Sequence, residues 1–88
     1  MEVKFSRLAL ADLAHIRSYI KTFNPAAAEK MASRLLAAAD KLALHPLIGR
    51  PCSDGTRELS IVPPYVMIYR VIGERVRIVR IWHGAQDR

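Results

Sequence analysis

The sequence predicts an α+β fold in which an N-terminal helical hairpin packs on a small antiparallel sheet, in the order β-α-α-β-β-β. Two observations predict the helices and a third predicts the sheet. Residues 7–45 hold two apolar series at helical spacing, joined by a short linker. A Pro- and Gly-bearing loop follows, and residues 56–83 then hold three β-rich runs separated by two turn signals. The 88 residues are read as one domain, 1–88. A helix pair followed by hairpin-linked strands gives two layers, with one sheet face covered and the other open.

Each element has its own signal. Residues 2–6 are read as a first strand because Val3 to Phe5 alternates, and Ser6 is suited to cap the helix that follows. That helix carries Ala9, Leu13, Ile16 and Ile20, whose spacings of four, three and four fall on one face. Asn24-Pro25 is a cap followed by proline at the first helical position. The second helix carries Ala28, Met31, Leu35, Ala38 and Leu42, and its many alanines let two helices approach closely. Pro46 stops it. Pro46, Gly49, Pro51 and Asp54-Gly55 make residues 46–56 a loop. Arg57–Ile61, Tyr65–Val71 and Arg75–Trp82 form a meander, with turns at Val62-Pro63-Pro64 and Ile72-Gly73-Glu74. Arg75 and Arg77 share a parity that Arg80 breaks, so a bulge or strand end is expected between them.

Composition narrows the function. Apolar residues make up 51% of the chain, enough for a core without disulfide or metal. Cys52 is the one cysteine; with no partner thiol and no Cys/His spacing for zinc, no metal or cofactor is expected, and a cytoplasmic location is. The longest uncharged stretch, Leu59–Tyr69, is too short to span a membrane and carries two prolines. Net charge is +6. Residues 1–49 and 50–88 each carry seven basic and four acidic side chains, but the second half uses arginine alone. Arginine suits bidentate contact with carboxylate or phosphate, although codon usage in a GC-rich genome gives the same bias.

Several motifs then fall into a familiar order: His45-Pro46-Leu47-Ile48-Gly49-Arg50-Pro51, Thr56-Arg57-Glu58-Leu59, Tyr65-Val66-Met67-Ile68-Tyr69-Arg70-Val71, and Val76 to His83 with Gly84-Ala85-Gln86-Asp87-Arg88. Together they resemble the ParE/RelE superfamily of toxins from bacterial type II toxin–antitoxin systems, over nearly the whole chain. The resemblance implies that the first strand joins the sheet. It implies a cognate antitoxin, often of ribbon-helix-helix type, whose C-terminal segment folds onto the toxin in a hetero-oligomer. It also implies one of two targets: DNA gyrase for ParE-like members, or the ribosome with its mRNA for RelE-like members.

Chemistry favours the first branch. Metal-free RNA cleavage needs a base for the 2′-hydroxyl, an acid for the leaving oxygen and cations for the phosphorane charge. By resemblance, RelE-like toxins place one such arginine in the middle strand, just before an apolar-apolar-Tyr segment; Val66 stands there. Gly84-Ala85-Gln86 also lacks charge where a second cationic cluster is expected. His83 argues the other way, because YoeB-like relatives end the last strand with histidine. The alternative is therefore an endoribonuclease using His83, Glu58 and Arg57 or Arg80; the simpler reading of His83 is a hydrogen bond to Asp87 or the backbone. Tyr65 and Tyr69 share a face and are read as packing residues rather than base-stacking ones. Trp82 is read as a sheet-edge packing residue, His15 and His45 as surface residues, and Asp12 and Asp40 as solvated helix positions. An acidic amphipathic antitoxin segment is expected to contact Leu8, Leu13 and Ile16 on the hairpin and Arg57, Arg70 and Arg80 on the sheet.

Overall fold

Ser6 ends the first strand because both its backbone and its hydroxyl are already committed. Its N–H donates to Ile78 O at 2.8 Å, its Oγ donates to Val79 O at 2.7 Å, and the same Oγ accepts from Ala9 N at 3.0 Å. One residue thus closes β1 (Glu2–Phe5) and caps α1 (Arg7–Lys21) in a computed structural model that describes residues 1–84. Asn24 does the same for α2 (Pro25–Leu44), its Oδ1 accepting from Ala27 N at 3.1 Å with Pro25 in the first turn. The expected helical stripes are the buried ones: Ala9 in α1, and Ala28, Leu35, Ala38 and Leu42 in α2. Neither helix is long and apolar enough to cross a membrane.

Four strands follow: β2 (Arg50–Pro51), β3 (Arg57–Val62), β4 (Tyr65–Ile72) and β5 (Arg75–His83). They join β1 in one five-stranded sheet of order β1-β5-β4-β3-β2. The sheet is mixed, which corrects the expectation of an antiparallel one. β1 pairs with β5 in parallel, Val3 opposite Val76 and Phe5 opposite Ile78, and the remaining pairings are antiparallel. A parallel partner requires a long crossover, and the helical hairpin lies within it. The loop reading of residues 46–56 also misses β2, where Arg50 lies opposite Glu58 and Pro51 opposite Arg57 at the sheet edge. Edge positions tolerate proline because no ladder bond is lost.

The register fixes the two faces. Val3, Phe5, Val76, Ile78, Ile81, Met67, Tyr69 and Leu59 pack in one cluster with Ala9, Leu35, Ala38 and Leu42 of the helices. The expected bulge is present. Tyr69 pairs with Ile78 but Ile68 pairs with Arg80, so Val79 is the extra residue. Without it Ile81 would leave the core; with it Ile78 and Ile81 both face the helices.

Tyr69 is the largest fully buried side chain. Its hydroxyl accepts from Gly49 N at 2.8 Å and donates to Pro46 O at 2.8 Å, so the middle strand holds the loop that leaves α2. Arg57 holds the same loop through Leu47 O at 3.2 Å and Gly49 O at 2.8 Å. Gly49 is required here: a Cβ would meet the Tyr69 hydroxyl at 2.5 Å and Glu58 O at 2.9 Å. Burial pushes the Tyr69 phenol above its ordinary 10.0, with the Gly49 N–H opposing. A raised phenol contributes stability that is complete below the unfolded value and is lost as pH rises through the folded one.

Replacing Tyr69 by Phe orphans Gly49 N and Pro46 O and is expected to cost about 1–3 kcal/mol, read from urea unfolding. The same variant should show a smaller loss of stability than the wild type as pH is raised past about 10.

Candidate functional site

Where β1 stops, the outer edge of β5 needs new partners, and α1 supplies them. Beyond Ile78, Val79 O is met by the Ser6 hydroxyl and Ile81 N by Asp12 Oδ2 at 2.9 Å. The Asp12 carboxylate also accepts two bonds from Arg80, Nε at 2.8 Å and Nη2 at 3.0 Å. A carboxylate with three donors at a strand edge is a structural pin, not the solvated helix position that sequence spacing indicates. Its partners lie 68 and 69 residues away, which no local pattern reveals. The hydrogen bonds that Arg80 donates to Asp12 keep its guanidinium charged beyond its ordinary range.

The pin shapes one wall of a groove of about 810 Å³ between α1 and the far end of the β4–β5 hairpin. Arg80 lies over the Trp82 indole at 5.4 Å, a cation–π contact. Tyr65 and His83 are a cross-strand pair in edge-to-face contact, with centroids 5.7 Å apart. His15, Ile16 and Tyr19 of α1 form the opposite wall. His15 is exposed, as the sequence indicates, but it shares this wall with Tyr19, which the sequence does not single out. The available signal was their spacing of four, which places both on one helical face.

The four side chains considered for RNA cleavage do not converge. Arg57 and Glu58 are neighbours on β3, so they point to opposite faces. Arg57 pairs with the buried Tyr69 and is held to the loop, whereas Glu58 pairs with Ile68 on the far face. Glu58 is engaged there by Arg50 Nη2 at 3.0 Å and by the Cys52 thiol at 3.6 Å. His83, through its pairing with Tyr65, lies on the helix side. Of the set, only His83 and Arg80 line one cavity. The reading that joins His83 to Asp87 concerns a residue outside those described, as do Ala85, Gln86 and Arg88.

The six residues expected to meet an antitoxin also divide. Leu8 is exposed, while Leu13 and Ile16 are half-buried against the core. Arg70 Nη1 donates to Asp54 O at 3.3 Å, and Arg57 and Arg80 are committed to the loop and to Asp12. Asp54 accepts from Thr56 Oγ1 and N, and these bonds hold its carboxyl below the usual range. Val66 is buried at 7% exposure, opposite Trp82.

Comparison with known proteins supplies the context. Residues 3–88 match the family model described as ParE toxin of type II toxin–antitoxin system, parDE. The toxin RelE2 of Caulobacter vibrioides is 51% identical over 85 residues, covering 97% of both chains. The toxin RelE1 of the same organism is 41% identical over 68 residues, covering 74% of this chain and 73% of its own. Among solved structures, the chromosomal ParDE system of P. aeruginosa superposes with a TM-score of 0.84 at 28% identity, covering 94% of this chain and 95% of that one. The RelBE2 toxin–antitoxin complex of Mycobacterium tuberculosis superposes with a TM-score of 0.69 at 25% identity, covering 93% and 95%.

Asp12→Ala leaves the Arg80 cation and Ile81 N without their acceptor. We expect a loss of about 2 kcal/mol in urea unfolding, a value reduced for the partial exposure of Arg80. Asp12→Asn should lose less. In both variants Trp82 fluorescence should change in the folded state, because the guanidinium beside the indole is released.

Proposed function

The chain belongs to the ParE toxin family of type II toxin–antitoxin systems, and from that premise we propose that it inhibits DNA gyrase and is neutralised by a cognate antitoxin. The observation that carries the choice of target is Val66. The superfamily resemblance implies an arginine at this place in RNA-cutting members, where it stabilises the phosphorane; a buried valine opposite Trp82 has no charge to offer. The separation of His83 from Glu58 on opposite sheet faces supports the same reading. An inhibitor that works by gripping a protein needs a shaped surface rather than an acid and a base in register.

The antitoxin reading rests on the relatives solved as ParDE and RelBE2 toxin–antitoxin systems and on this chain's own surface. Leu8, Leu10, Tyr19, Phe23, Leu36 and Leu44 all lie exposed on or beside the helical hairpin. An amphipathic segment covers such residues, and acidic side chains on it complement a net charge of +6. One observation favours the rival, a ribosome-dependent mRNA endonuclease: His83 and Arg80 share the groove beneath α1.

The purified protein is expected to block plasmid supercoiling by gyrase, with relief on adding antitoxin. Cleavage of mRNA at ribosomal A-sites, lost in His83→Ala and accompanied by unhindered gyrase, would overturn the proposal.

A further inference from the structure

The sheet face turned away from the helices carries a feature that neither the groove nor the hairpin explains. Val3 and Phe5 point into the core, so Lys4 points out; Val76 and Ile78 point in, so Arg77 points out; Tyr69 and Val71 point in, so Arg70 points out. The register then places Lys4 opposite Arg77, and Arg77 opposite Arg70. Three cations lie in one row across three adjacent strands, β1, β5 and β4.

Directly opposed like charges destabilise a sheet, with side-chain origins only about 5 Å apart. The neighbouring charges on this face are paired: Arg75 with Glu2 at 3.6 Å and Arg50 with Glu58 at 3.0 Å. The row is not. Among the described residues, Lys4 and Arg77 make no hydrogen bond or ion pair, while Arg70 donates to the carbonyl of Asp54 and its charge is felt by the Asp54 carboxylate without a salt bridge between them. The protein therefore tolerates a repulsion that an external anion would relieve.

We propose that this row grips the phosphate backbone of duplex DNA, a partner whose choice rests on the reading that the target is gyrase, an enzyme that holds DNA. Two strand spacings set the row at about 10 Å. Phosphates follow one another every 3.4 Å or so along the axis of a DNA strand, within reach of three long side chains in line. Two of the three are arginines, which bind phosphate bidentately. The row contains no aromatic and no amide, so it holds the backbone without reading sequence. A flat, rigid line of charge also fits an evenly charged duplex better than the exposed apolar hairpin does, and the hairpin is the surface left for the antitoxin.

The test is fluorescence anisotropy with a labelled 20-base-pair duplex and no gyrase present, so that gyrase inhibition by the wild type remains a separate measurement. Three phosphate contacts give a slope of log affinity against log salt of about −2.7, or roughly a 40-fold loss between 50 and 200 mM salt. Lys4→Gln with Arg77→Gln should cut the slope to about −0.9, roughly a 4-fold loss. Lys4→Arg with Arg77→Lys should keep the wild-type slope. The Gln pair should melt no lower than the wild type, because its like-charge contacts are gone. The proposal fails if the Gln pair binds with unchanged slope, or if the charge-keeping pair binds as weakly as the Gln pair. It fails equally if the wild type prefers single-stranded RNA of the same sequence, or polyglutamate, to the duplex.

Discussion

One helical hairpin covers one face of a five-stranded sheet, and most of the molecule follows from that constraint. Alternate residues of β1, β4 and β5 must be apolar toward the helices, and they are. The hairpin is also part of the connection between two parallel strands, so β1 and β5 become neighbours although about seventy residues separate them. β1 is short, and the edge it leaves free beyond Ile78 is completed by side chains of Ser6 and Asp12. At the opposite edge, no helix contacts β2 among the described residues. There the loop that leaves α2 is tied down from within by Tyr69 and Arg57. Among the described residues, the far face carries an apolar centre at Val66 and Ile68, flanked by charges.

Local physics was legible in the sequence wherever the partner was also local. The two helical stripes, the Ser6 and Asn24 caps and the phase change before Arg80 all depend on residues within a few positions. Three things were not legible. The parallel pairing of β1 depends on a strand at the other end of the chain, and a four-residue strand carries no mark of direction. β2 is two residues long and contains a proline, so its composition matches a loop. Asp12 sits on the flank of the α1 stripe by helical phase, and the end of β5 turns it into a pin. Tyr69 is buried in the core, but nothing in the tyrosine spacing indicates that it holds the loop at Pro46 and Gly49.

The functional surfaces divide in the same way as the structure. Helix-facing residues at the far end of β4 and β5 join α1 in an aromatic groove. The exposed hairpin offers leucines and aromatics. The far face offers cations. Adjacent residues on β3 are drawn to different tasks, Arg57 to the loop and Glu58 to Arg50, because strand geometry sends them in opposite directions. Surfaces separated by the thickness of a sheet can be changed one at a time.

The bulge at Val79 has a consequence for how such a protein changes over generations. In an uninterrupted strand, adding or removing one residue turns every later side chain to the wrong face. The bulge divides β5 into two stretches, one of charged and aliphatic residues before it and one rich in aromatics after it. Each is aligned by its own ladder to β4. Mutation can rewrite either stretch while the other keeps its alternation, so the strand carries two inheritable surfaces that are free to follow different partners.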